Sequence, residues 1–76
     1  MRAKHISCLE DILCGLERYP ELEPNPDRIK AMMALYRRSR NPVVGEMVEI
    51  WKSGHGVLST EVRIRALVDA MNEAFS

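Results

Sequence analysis

Two cysteines and two histidines are the residues whose chemistry could support a metal site or a nucleophile. His5 and Cys8 lie one helical turn apart, a spacing that allows both to contact one metal ion. A zinc site needs three or four protein ligands, and nothing in the sequence brings a second pair to these two. His55 lies between Gly54 and Gly56, where we expect an exposed imidazole. We therefore predict no metal, no cofactor and no catalytic residue.

The spacing of the cysteines also argues against a disulfide. Cys8 and Cys14 are six positions apart in one predicted helix, so their side chains point about 120° apart. Two free thiols, no recognisable export signal and no apolar run near the ~20 residues of a membrane span predict a cytoplasmic protein. The chain lacks a glycine-rich phosphate loop and any enforced pairing of a nucleophile with a base, so we do not expect an enzyme.

Proline, asparagine and glycine divide the chain into four predicted helices. Asn25-Pro26 and Asn41-Pro42 each place an N-cap residue before a proline at the first helical position. Gly54 can adopt the left-handed conformation that ends a helix. The predicted helices span residues 3–19, 26–39, 42–53 and 60–75. We therefore predict a single all-α domain over residues 1–76, folded as a compact bundle of four short helices.

The first and last of these helices carry well-defined apolar faces. Ser7 and Glu10 have the spacing of a capping box, so Ser7 is an alternative start for the first helix, whose apolar face extends to Tyr19. The fourth helix presents a narrow apolar seam, with alanines on one flank that allow close approach. The predicted seam residues are Ile64, Leu67, Val68, Met71 and Phe75, and the flanking alanines are Ala66, Ala70 and Ala74.

The amount of apolar side chain is large for so short a chain. Of its 76 residues, 27 are Ile, Leu, Val, Met, Phe, Trp or Tyr. A domain of this size hides only roughly 60% of the surface that its unfolded chain exposes. We therefore predict that association covers the remainder, both in a homodimer and in a complex with another protein. The function predicted is that of a small regulatory module, such as an adaptor, an inhibitor or a regulatory subunit.

The predicted binding surface combines apolar anchors on the second and third helices with a basic rim. Lysine and arginine balance aspartate and glutamate over the whole chain, but residues 10–27 carry six acids and one base, whereas residues 28–45 carry five bases and no acid. A concentrated basic segment can steer an acidic partner. The predicted anchors are Met33, Tyr36, Met47 and Trp51, and the predicted rim is Arg37, Arg38 and Arg40.

Nucleic acid is the alternative partner. Residues 42–53 and 60–75, with the glycine turn between them, have the outline of a helix-turn-helix, and Arg63 and Arg65 lie near the start of the second helix. Glu61, Asp69 and other acids on the same helix would repel phosphates. This reading predicts a DNA-binding transcriptional regulator, and the sequence supports it less well than protein binding.

Overall fold

The computed structural model describes residues 2–19 and 22–75, and all regular structure within them is helical. The four helices are α1 (Ala3–Arg18), α2 (Pro26–Ser39), α3 (Pro42–Ser53) and α4 (Thr60–Phe75). The predicted all-α fold is therefore confirmed, and the predicted boundaries agree with the observed ones to within one residue. Within the described residues, no helix is both long enough and apolar enough to cross a bilayer.

Local capping explains where α2 and α3 begin and where α3 ends. The Asn25 side chain accepts a hydrogen bond from the Arg28 amide at 2.8 Å. The Asn41 side chain accepts from the amides of Val43 and Val44 at 2.9 and 3.3 Å. Gly54, at φ +76°, closes α3 in the left-handed conformation that glycine adopts without a steric penalty. These contacts involve near neighbours in sequence, which is why the sequence predicts them well.

The two ends of α1 differ from the prediction. The helix begins at Ala3, and the carbonyl of Arg2 accepts hydrogen bonds from the amides of His5 and Ile6 at 3.0 and 3.2 Å, so the alternative start at Ser7 is wrong. At the other end α1 stops at Arg18, and the next residue turns away with φ −131°. That residue, Tyr19, is 66% exposed and does not extend the apolar face as predicted.

The core lies between all four helices and contains no buried polar or charged residue among those described. α2 and α4 each pack against the other three helices, so they form the central pair, with α1 and α3 packed against both. The buried residues are Leu9, Ile12, Leu16, Ala31, Met32, Leu35, Val44, Met47, Val48, Ala66, Leu67, Ala70 and Ala74. Burial of this apolar surface supplies the main favourable term in folding.

The orientation of α4 about its own axis is the main departure from the expected packing. The core-facing side of α4 consists of Leu67 and the three alanines of the predicted flank. Because this alanine side faces the core, the predicted seam lies toward the edge of the bundle. Val68 and Phe75 are consequently 39% and 42% exposed, so their predicted place in the core seam is wrong.

Candidate protein-binding surface

Two of the predicted anchors lie together in a groove between α2 and α3. Met33 is half-buried against the core, and Tyr36 is 36% exposed. The groove has a volume of about 430 Å³. We call it the α2–α3 groove, and the residues that line it are Met33, Tyr36, Arg37, Pro42, Gly45, Glu46, Val48, Glu49 and Lys52.

Gly45 fixes the position of the Tyr36 ring in this groove. A Cβ atom built on Gly45 would lie 2.8 Å from Cε1 and 3.1 Å from Cδ1 of Tyr36, closer than side chains tolerate. A glycine inside a helix costs about 1 kcal/mol relative to alanine, so its presence in α3 needs a compensating contact. The packing of the Tyr36 ring against Gly45, in the space that a Cβ atom would fill, is that compensating contact. The only sign of this in the sequence is a glycine within the first turns of a predicted helix, and sequence reasoning missed it.

The other two predicted anchors lie elsewhere. Met47 is 1% exposed and belongs to the core, because it lies one turn after Val44 on the side of α3 that faces the bundle. Its prediction as a surface anchor is therefore wrong. Trp51 is half-buried and packs against the core, and it lines a second pocket of about 260 Å³ beside the connection from α3 to α4. Trp51 and Glu49 project about 160° apart around α3, so the tryptophan cannot share the α2–α3 groove.

The predicted basic rim also separates into three different environments. Arg37 is exposed and lines the α2–α3 groove. The Nε of Arg38 donates a hydrogen bond to the carbonyl of Ala74 at 2.9 Å, so this guanidinium caps the negative end of the α4 dipole. Arg40 is the C-cap of α2, with φ +59° and its amide bonded to the Tyr36 carbonyl. All three arginines are exposed, and Arg37 is the one of the three that lines the α2–α3 groove.

The electrostatic character of the groove is balanced. Arg37 and Lys52 contribute two positive charges, and Glu46 and Glu49 contribute two negative charges. The sequence predicted a basic surface that would steer an acidic partner. The structure instead places two acids and two bases around one apolar floor.

The thiols are separate from the groove. Cys14 is exposed, whereas Cys8 is half-buried and its Sγ donates to the carbonyl of Asp27 at 3.8 Å. Burial raises the pKa of the Cys8 thiol, and the nearby guanidinium of Arg28 opposes this in part. The thiol is therefore protonated at neutral pH and is a poor nucleophile. Within the part of the chain that the structure describes, no three histidine, cysteine, aspartate or glutamate side chains come together in a way that could hold a metal.

The residues of the alternative nucleic-acid site are not presented together. Arg63 is half-buried, lines the pocket beside Trp51, and donates from Nη2 to the Thr60 hydroxyl at 3.1 Å. Arg65 is exposed on another side of α4, about 160° around the axis from Arg63. It lines a shallow depression together with Glu61 and Asp69, each one turn away. These carboxylates lower the positive potential at the position where phosphate contacts would form.

Comparison of the chain with protein families, with curated proteins and with solved structures found no match.

Proposed function

We propose that this protein is a small regulatory module that binds another protein through the α2–α3 groove. In this role it acts as an adaptor, an inhibitor or a regulatory subunit of its partner. The observation that carries the proposal is the exposed Tyr36 ring, seated on Gly45 beside Met33 and above an apolar floor, with charged residues on both edges.

The composition of the groove suits a protein side chain. Tyrosine offers a large apolar ring and a hydroxyl that can donate or accept a hydrogen bond, and it is enriched among residues that dominate binding energy. Met33 has a flexible thioether side chain that adapts to the shape of a partner. The groove, at about 430 Å³, has room for one or two large apolar side chains. The gap between two helices favours an amphipathic helix of the partner, anchored by such side chains.

The rim supplies specificity. A partner helix that lies along the groove meets Arg37 and Lys52, and it also meets Glu46 and Glu49. A partner with charges of the opposite sign at matching positions gains attraction at each, whereas a shifted or reversed partner brings like charges together. We place this function in the cytoplasm, in keeping with the exposed thiol of Cys14.

The test is quantitative capture from nuclease-treated lysate of the native host, with two matched tyrosine variants. Tyr36→Ala removes the ring from the groove, and Tyr19→Ala removes an exposed ring that lies outside it. We expect the wild type and Tyr19→Ala to retain the same partner and Tyr36→Ala to lose it. With the purified partner, a ring that anchors the interface accounts for about 2 kcal/mol, which is roughly a 30-fold loss of affinity.

Equal capture by all three proteins would contradict the proposed site. The nucleic-acid alternative is tested alongside, with a labelled random duplex at low salt. Tight, salt-sensitive duplex binding that is lost in Arg65→Gln would support a DNA-binding regulator instead.

A further inference from the structure

α4 carries a second apolar surface that is separate from the α2–α3 groove. Val68 and Phe75 are 39% and 42% exposed, although both are large apolar residues. Ile64 and Met71 are half-buried, with one side packed against the core. We call these four residues the α4 stripe.

The spacing of the α4 stripe is that of a helix-pairing seam. Its members are separated by four, three and four positions, which is the alternation of apolar residues in a two-helix coiled coil. At 100° per residue, all four side chains project within an arc of about 60°. The stripe follows the helix for about 16 Å. A strip this narrow fits one partner helix and is too narrow for the floor of a broad interface.

The same spacing makes the stripe self-complementary. Intervals of four, three and four residues are identical in both chain directions, so an antiparallel copy related by a two-fold axis places every member opposite another. Ile64 then meets Phe75 of the second copy, and Val68 meets Met71 of the second copy. Each layer pairs a smaller side chain with a larger one, which helps to fill the seam evenly. A two-fold interface of this kind is the commonest way in which soluble proteins self-associate.

Charges beside the stripe select the antiparallel direction. Glu61 and Arg65 lie along its solvent side at the beginning of α4, and Asn72 lies there near the end. In a parallel two-fold pair, this flank would instead face the opposite flank of the second copy, where Leu67 and Ala74 lie and offer the arginine no polar partner. In an antiparallel pair, Arg65 faces Asn72 of the second copy, whose amide oxygen can accept a hydrogen bond from the guanidinium. We propose that the protein forms an antiparallel homodimer in which the α4 stripe packs against the α4 stripe of a second copy.

Two valine variants on the same helix test this interface. Val68 lies in the α4 stripe, and Val62 is 43% exposed on another side of α4, so Val68→Glu and Val62→Glu make the same change at nearly the same exposure. Sedimentation equilibrium should give the wild type and Val62→Glu a mass of twice 8.7 kDa at high concentration. Val68→Glu buries a carboxylate in each copy and should raise the dimer dissociation constant more than about 100-fold.

The result that overturns the dimer is a wild-type mass of 8.7 kDa at every concentration up to about 1 mM. An unchanged dimer in Val68→Glu, or equal loss of the dimer in Val62→Glu, also overturns the assignment to this stripe. Circular dichroism of each variant verifies that its helices are intact. Because the α4 stripe is separate from the groove, Tyr36→Ala should leave the dissociation constant of the dimer unchanged, and loss of the dimer in that variant would overturn the separation.

The direction of pairing is tested at an exposed position. Asn72→Asp adds a carboxylate that faces Arg65 of the second copy in an antiparallel dimer, and faces the flank of Leu67 and Ala74 of the second copy in a parallel one, where it gains no attraction. We expect a dissociation constant that falls two- to five-fold at low salt and returns toward the wild-type value at high salt. An unchanged or raised dissociation constant would overturn the antiparallel arrangement.

Discussion

The contact between Gly45 and Tyr36 leads to a prediction for Gly45→Ala. The sign of the change in the free energy of unfolding depends on which of two effects is larger. Replacement of Gly45 by alanine removes the conformational freedom of a glycine in α3 and should stabilise the helix by about 1 kcal/mol. The new Cβ would approach three ring atoms of Tyr36, to 2.8, 3.1 and 3.3 Å. Overpacking of this kind typically costs about 1–3 kcal/mol. We therefore expect Gly45→Ala to be neutral or to lower the free energy of unfolding by up to about 2 kcal/mol.

The same substitution should have the opposite effect once the ring is absent. In a Tyr36→Ala background no ring opposes the new methyl group, so Gly45→Ala should raise the free energy of unfolding by about 1 kcal/mol. Urea denaturation followed by circular dichroism and by the fluorescence of Trp51 measures all four corners of the double-mutant cycle. Gly15→Ala is the control substitution, and its effect on stability should be the same with and without the Tyr36 ring. The atoms nearest to a Cβ built on Gly15 are at the end of the Leu22 side chain, which can move aside. A coupling energy near zero between positions 36 and 45 would refute the proposed seat of the ring.

Three further predictions concern caps and the thiol. Asn41→Ala should lower the free energy of unfolding by about 0.5–2 kcal/mol, since two amides at the start of α3 lose their acceptor, as urea denaturation would reveal. Arg38→Met should cost about 1 kcal/mol through loss of the bond to the Ala74 carbonyl, and faster amide exchange in the last turn of α4 would locate the effect. Folding raises the pKa of the Cys8 thiol above its ordinary value of 9.0, so the unfolded chain loses the thiol proton at a lower pH than the folded chain does. The contribution of this thiol to the free energy of unfolding is therefore complete below pH 9 and declines as the pH rises through the two pKa values. Cys8→Ala should show a shallower fall in melting temperature than the wild type between pH 8 and pH 11, and identical slopes would contradict this.

The helix boundaries could be predicted because the signals for them are local. Asn25 and Asn41 cap amides two or three residues away, and Gly54 ends α3 through its own backbone conformation. Ser7 shows the limit of such signals. It has the sequence context of a cap, but the preceding residues also favour helix, and the backbone continues through it from Ala3.

Tertiary packing decided what the sequence pattern left open. The alanine flank and the apolar seam of α4 are adjacent on one helix, and either could face the core, because alanine gains close packing where larger residues gain buried area. The bundle buries the alanine flank with Leu67 and leaves Val68 and Phe75 at the surface. A helical pattern alone gives the residues of each face, but not the rotation of the helix against its neighbours.

The candidate groove was predicted only in part, because its residues come from two different helices. Met33, Tyr36 and Arg37 follow one another along α2, and their shared location follows from helical geometry. The hydrogen bond from Arg38 to the Ala74 carbonyl and the packing of Tyr36 against Gly45 join residues from different helices. No local sequence pattern indicates such contacts. The apolar excess in the composition correctly predicted that large apolar residues remain exposed, namely Tyr19, Tyr36, Val57, Val62, Val68 and Phe75.

The most direct test of protein binding through the α2–α3 groove is calorimetry of the captured partner with the wild type, Tyr36→Ala and Tyr19→Ala. Burial of apolar surface predicts a negative heat-capacity change on binding to the wild type and to Tyr19→Ala. It also predicts an affinity roughly 30-fold weaker for Tyr36→Ala alone. Equal affinities and equal heat-capacity changes for the three proteins would contradict the account.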